Sequence, residues 1–342
     1  MNLKLEYLNE SNITESQYLD FLEAVHGDNA LHRYKDRGNW YNKTNDYHIL
    51  LAILDNKVIG QASYYAIDVV ANKKKTRISW GADTFVLSEA RGKGIGKKLQ
   101  KKLHEDAINF SSVYYAPING IIKRKCGANQ YKKYYFPYYP ISKFFGTFFE
   151  LATLKIFKKK ISFNTRIPNL YFLLNKKNLK GYTIKEIENF DNHIDFIQEV
   201  LESKYDFYVY RDKRYLDWKY FENPDLNKIH IFEVKKGEDT EAIISFSEAR
   251  ERTYLMTKFF GSTILDMFIK KDSTFTEKHV ISVIVDYYNK KGVKLDGLFT
   301  IFNIPYFPKI KYPFSGSPFL STYNGHINNP YISFMDQDME QM

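Results

Sequence analysis

Between positions 91 and 98 the chain reads Arg91-Gly92-Lys93-Gly94-Ile95-Gly96-Lys97-Lys98, glycines interleaved with cations. A backbone without Cβ atoms can come close to an anion, and the first free N–H groups of a helix carry partial positive charge. Asp83 to Leu87 is an aromatic and β-branched strand end feeding this turn, and Leu99, Leu103 and Ala107 give the residues after it an inward helical face. A strand, a glycine turn and a helix start flanked by Arg91, Lys93, Lys97 and Lys98 make a cradle for a diphosphate. No Ser or Thr follows Lys97, which excludes a P-loop. The spacing is Arg-x-x-Gly-x-Gly after an antiparallel-looking meander, which departs from the dinucleotide fingerprint.

The elements that must hold this loop read as mixed α/β. Asn2 to Tyr7, Tyr47 to Leu54, Val58 to Asp68 and Arg77 to Leu87 alternate as strands, with Asp55-Asn56-Lys57 as a hairpin turn. Glu15 to His26 and Gly94 to Phe110 have helical spacing, Val113 to Ile118 is a short strand and Asn119 to Cys126 a short helix. From Gly181 the order repeats: a strand and a helix through Lys204, a hairpin of Ile229 to Val234 with Ala242 to Phe246, strands Tyr254 to Phe260 and Ile264 to Ile269, a helix Glu277 to Tyr288 and a strand Leu295 to Phe302. Arg33, Lys35, Trp40 and Asn45 recur as Arg211, Lys213, Trp218 and Asn223 at one constant offset, which points to duplication.

A chain of 342 residues suits two domains, and 44% hydrophobic with 26% charged residues excludes the disordered class. Cys126 alone cannot close an internal disulfide and no apolar run opens the chain, so a reducing cytoplasm is expected. The longest apolar stretch, Ile141 to Phe157, is interrupted by Gly146 and Glu150 and followed by three lysines; it reads as a buried linking helix, with a membrane-surface helix as the alternative and no membrane span. The net charge of +10 fits a lysine-rich surface or an anionic partner, but no nucleic-acid motif accompanies it. The eight histidines lack zinc-site spacing, so no metal is expected.

The Arg91–Gly96 loop in this setting resembles the acyl-CoA-binding motif of the GNAT superfamily of N-acyltransferases, over roughly Asn2 to Phe136. Tyr115 to Asn119 and Lys125-Cys126-Gly127-Ala128 look like that family's next strand, helix and turn. The resemblance implies two domains of mixed, mainly antiparallel sheet flanked by helices: residues 1–140 binding acyl-CoA, a connector over 141–180, and a degenerate repeat over 181–342. It implies that the backbone of Gly92, Lys93, Gly94, Ile95 and Gly96 holds the CoA pyrophosphate with Arg91 and Lys97 adding charge. Phe85, Val86 and Leu87 would pair with the pantetheine arm beside a slot where strands splay, with Asn119 near that arm.

The implied reaction is direct attack of a neutral amine on the thioester, needing a base for the amine and an acid for the departing thiolate. Asp83 leads as base, ahead of His26 and His32. The family often carries a Tyr acid on the short helix; Ile122 and Lys123 stand there instead, leaving Tyr134 or Tyr131 for that role, or a reaction that requires no acid. In the repeat, Phe268 to Glu277 has no glycine and brings Asp272 and Glu277, so that half is expected not to bind CoA. The tandem layout resembles bilobal bacterial GNAT proteins of surface-polysaccharide synthesis, some of which acylate dTDP-linked amino-dideoxyhexoses. This implies a nucleotide-linked amino sugar as acceptor, Tyr208, Arg211 and Trp218 as its contacts, and acetyl-CoA or a short hydroxyacyl-CoA as donor, and it is compatible with a homodimer. An antibiotic or small-amine N-acetyltransferase and a non-catalytic assembly protein are the alternatives.

Overall fold

The computed structural model describes residues 3–43, 46–115, 117–133, 136–142, 153, 156, 170–226, 228–254, 257–300, 302, 310–312, 317–322 and 329–336. Tyr134, Asn45 and most of the expected linking helix lie outside them. Strands are numbered β1 to β17 along the chain. The first sheet places β1 (Leu3–Tyr7), β2 (Tyr47–Leu54), β3 (Lys57–Ala71), β4 (Lys74–Val86) and β5 (Ser111–Tyr115) in order, followed by β16 (Ser317–Thr322) and β6 (Asn129–Lys133). The second runs β8 (Thr183–Ile187), β10 (Ile229–Lys236), β11 (Asp239–Ser247), β13 (Thr257–Ile269), β14 (Gly297–Phe299), β7 (Phe136–Pro140) and β15 (Ile310–Tyr312), with β12 (Arg250–Tyr254) on β13. Both are mixed sheets flanked by helices, as the sequence pattern predicts.

The β2–β3 turn forms where expected, with Asp55 and Asn56 at φ of 50° and 61°, the left-handed values a tight hairpin needs. One expectation shifts, and the residues before 140 add two strands. Tyr254 to Phe260 and Ile264 to Ile269 are not separate strands; β13 is continuous over Thr257–Ile269 and bends through a register shift at Ser245/Phe246 of its partner β11. The tyrosine- and proline-rich passage before residue 140 forms β6 and β7.

β7 and β16 exchange sheets. β7 follows β6 in the chain but pairs with β14 and β15 of the second sheet, and β16 follows β15 but pairs with β5 and β6 of the first. β9 (Phe207–Val209) also crosses over, antiparallel to β3, and carries β17 (Pro330–Tyr331). A boundary at residue 140 therefore does not separate the two sheets.

Tyr18, Phe21 and Leu22 of the Glu15–His26 helix and Leu99 and Leu103 of the Ile95–Asp106 helix close the first core against β2 and β3. Where the halves meet, the repeat is physical: Trp40 and Trp218 stack at 4.7 Å, and each indole Nε1 donates to the other's backbone oxygen at 2.8 Å. Arg33 pairs with Asp83 at 3.0 Å and its counterpart Arg211 approaches Asp266 at 3.6 Å.

Candidate active site

β4 delivers the chain to Leu87 and Ala90, both buried, and the next four residues, Arg91 to Gly94, are exposed. Gly92 and Gly94 hold φ of 80° and 76°, and a Cβ at either would meet nothing within 4 Å. Backbone handedness, not crowding, asks for glycine there. Gly94 is the N-cap of the Ile95–Asp106 helix, which Ile95, Leu99 and Leu103 anchor in the core. The first helical bond runs from Lys98 N to Gly94 O at 3.1 Å, so the N–H groups of Ile95, Gly96 and Lys97 face outward at the helix start. Lys93, Lys97 and Lys98 are exposed around them, while Arg91 Nε donates to Val86 O at 3.1 Å and ties the loop to the strand end.

The slot beside the loop has an equally local cause. β3 stays paired with β4 as far as Gly60↔Val86, but β4 and β5 share only Trp80↔Ser111 among the described residues. From Gly81 to Val86 the β5-side edge of β4 thus carries no ladder, and Phe85 and Val86 lie on it. At the vertex Gly81 is required by contact: a Cβ there would sit 2.7 Å from Phe110 Cζ and 3.1 Å from Ser112 Cβ. Above the vertex, the buried Lys123 of the Pro117–Lys125 helix donates from Nζ to Ser112 Oγ at 2.5 Å. Burial brings its pKa down to about 7.

The expected proton-handling residues fare differently. Asp83 Oδ2 accepts from Arg33 at 3.0 Å, so the leading base candidate is held in an ion pair. His32 bonds Asp36 at 2.7 Å and Asp225 at 2.9 Å, tying the halves together; the bond to Asp225 leads in raising its pKa. His26 sits edge-on to Phe85 at 4.7 Å, and its buried Nε2 has no hydrogen-bond partner. Burial lowers its pKa, with the Asp83 carboxylate opposing. Asn119 lies in the first turn of the Pro117–Lys125 helix. Tyr134 lies outside the described residues. Sequence reasoning missed Lys123 as a reactive group because the run Lys123-Arg124-Lys125 reads as a solvated basic helix end; the signal was its place beside Ile122 on the short helix.

The three expected acceptor contacts are structural. Arg211 has no exposure, and Asp336 holds it at 2.7 Å with Ser333 Oγ at 3.1 Å. Tyr208 is buried in β9 opposite Val70. Trp218 is spent on Trp40, although it also borders a 690 Å³ cavity with Ile67, Asp68, Arg77, Tyr210 and Lys213. Charges around that cavity are paired with one another, Arg77 with Asp68 at 3.2 Å and Lys213 with Asp217 at 3.0 Å. A second cavity of 390 Å³ lies against Tyr18, Arg33, Tyr34, Lys35, Tyr47 and His48.

The second half closes the equivalent helix start with its own side chains. Thr276 N donates to His279 Nδ1 at 2.9 Å, Phe275 is buried, and Ser273 bonds Glu241. The third N–H of that helix, from His279, is taken up by Thr276 O at 2.8 Å. Among the described residues no group of His, Cys, Asp or Glu is arranged to hold a metal, and no helix is long and apolar enough to cross a membrane.

Residues 13–117 match the family model of the Acetyltransferase (GNAT) family. No curated protein matches the chain. Among solved structures, a probable N-acyltransferase of unknown function from Enterococcus faecalis aligns at TM-score 0.58 and 13% identity, over 94% of this chain and 72% of that one. A GCN5-related N-acetyltransferase from Anabaena variabilis aligns at 0.55 and 13%, over 93% and 72%. A tandem GNAT protein from the clavulanic acid biosynthesis pathway aligns at 0.50 and 8%, over 95% and all of its length. At such identities the shared property is the fold. The matched segment carries the open glycine loop and β4 with its unpaired edge, so over residues 13–117 the chain is similar to an acetyltransferase domain of the GNAT family.

Proposed function

We propose that the chain transfers an acyl group from acyl-CoA, seated on the Gly92–Lys97 loop and β4, to the amine of a nucleotide-linked amino sugar of the kind built into surface polysaccharide. The observation that carries the acceptor class is the 390 Å³ cavity on the first half, where Tyr34 and Tyr47 offer rings beside the exposed Lys35. Rings suit a nucleobase and cations suit a diphosphate. Arg33 joins this cavity to β4 through Asp83.

Acyl-CoA supplies the activated carbonyl. The chain holds it by the helix-start N–H groups and keeps the strand edge beside Phe85 and Val86 open for backbone pairing. His26 is the proton acceptor for the amine: its Nε2 is unengaged, and burial keeps the imidazole neutral near pH 7. Asp83 is engaged with Arg33 at 3.0 Å instead. His26→Phe should preserve acyl-CoA binding and lower kcat by about 10²-fold, a usual share for one proton-transfer group; an unchanged kcat removes His26 from the mechanism.

Thermal-shift screening of acyl-CoAs with dTDP- and UDP-amino sugars tests the acceptor. A pair that raises Tm together, and releases CoA thiol when mixed with the protein, is the expected result. Turnover with cationic aminoglycosides and none with sugar nucleotides would replace this acceptor class by an antibiotic.

A further inference from the structure

We propose that Lys123 is the acid that protonates the CoA sulfur as the acyl group leaves, its Nζ being held by Ser112 at the vertex where β5 parts from β4. The inference rests on the acyl-CoA reading above and names a group that reading does not assign.

Three observations place the amine there. Trp80↔Ser111 is the one β4–β5 pair among the described residues, so Ser112 is the first residue of β5 beyond it, and Lys123 Nζ lies 2.5 Å from Ser112 Oγ. β4 reaches the same point at Gly81, which contacts Phe110 and Ser112 closely enough that any side chain would fill the vertex. Lys123 is 4% exposed and its Nζ also stands 5.0 Å over the Phe110 ring, so a hydroxyl and an apolar wall adjoin it. An amino group in such a place is costly for stability, because burial disfavours its charged form.

Among the described titratable groups, the Cys126 thiol acts on Lys123 and opposes the downward shift. Cys126, in the turn just after that helix, is a thiol pushed up by burial, and Lys97 and Lys101 face Cys126 from the Ile95–Asp106 helix. Arg124 and Lys125 are exposed, β5 also carries Tyr114 and Tyr115, and β16 carries no titratable residue. The resulting pKa of about 7 leaves Lys123 partly protonated at neutral pH. An ordinary thiol titrates near 8.5, so proton transfer from this amine to a thiolate runs downhill.

In the step itself the amine nitrogen bonds to the thioester carbon, the C–S bond breaks and its electron pair stays on sulfur. Lys123 Nζ gives that sulfur a proton and becomes neutral. The nitrogen's surplus proton passes to His26 and then to water, and water recharges Lys123. One amine proton is lost and one thiol proton gained.

The test needs no acceptor. CoA is bound to the full chain and thiolate formation is followed by ultraviolet absorbance across pH, for the wild type and Lys123→Met. The Met side chain has similar length and removes only the buried amine, and melting of the variant at or above the wild-type Tm controls for folding. With an amine beside the sulfur the two groups share their protons, so thiolate should begin to form at lower pH in the wild type than in Lys123→Met, its curve spreading over two steps where the variant shows one. Calorimetric CoA affinity should agree within about threefold, since the diphosphate grip is untouched. Overlapping thiolate curves with intact CoA binding overturn the role of Lys123 alone. A wild type that does not bind CoA overturns the loop reading and this inference with it.

Discussion

Lys123 and Arg211 show two ways a cation survives burial. Arg211 is matched by Asp336 and Asp266, with Tyr215 and Tyr331 around it, and its pKa stays well above the ordinary value although burial alone would lower it. Lys123 stands against a hydroxyl and a ring, and its pKa falls to about 7. The unfolded chain therefore binds more protons than the folded one between pH 7 and the ordinary lysine value, and stability rises with pH across that window. The full contribution is present above about 10.4 and is lost as pH falls through the folded value near 7. Each pH unit between the folded and unfolded values is worth about 1.4 kcal/mol, so Lys123→Met should be more stable than the wild type by roughly 3–5 kcal/mol at pH 7. The two should converge towards pH 10. Denaturant melts at pH 7 and 10 check both statements, and an equal or greater gain at pH 10 contradicts them.

Among elements, the β4–loop–helix unit is the one whose geometry most constrains its residues. Gly94→Val puts a branched side chain at φ of 76°, where it stands among the outward N–H groups. Strain of about 1–2 kcal/mol and obstruction of the anion should lower acyl-CoA affinity at least tenfold, while the helix, anchored by Leu99 and Leu103, persists. Calorimetry with acetyl-CoA and circular dichroism separate the two effects; wild-type affinity in a folded variant would refute the cradle. This unit was readable in advance because each step has a local cause: β-branched residues for the strand, glycines for left-handed turns, Leu99 and Leu103 for the buried face. The roles of Arg211 and Trp218 were not, since a basic aromatic stretch reads alike whether it meets a ligand or the other half of its own chain. His26 could be named from type alone, but its unpartnered Nε2 needed the helix end and Phe85 in place.

At the scale of the whole molecule, the halves are bound by more than a shared surface. Without β16, β5 and β6 lack the strand that joins them; without β7, β14 and β15 are likewise parted. The Trp40–Trp218 stack and the His32–Asp225 bond add further ties. Residues 1–140 alone should show no cooperative melt and rapid proteolysis, and co-expression with 141–342 should restore CoA binding. A stable, monomeric 1–140 fragment would contradict this. The exchange was invisible to periodicity, because alternation announces a strand but not its neighbour, and chain order normally favours adjacent pairing.

That reciprocal loan of strands sets a timetable for biosynthesis. A ribosome moving at about 5–20 residues per second needs on the order of ten to forty seconds to proceed from β7 to the end of β16. Throughout that interval the nascent polypeptide presents the bare rims of β5 and β6 to its surroundings, an invitation to mispairing with other chains. The first sheet consequently cannot close until β16 has emerged, and the yield of active protein should depend on chaperones that occupy those rims until then.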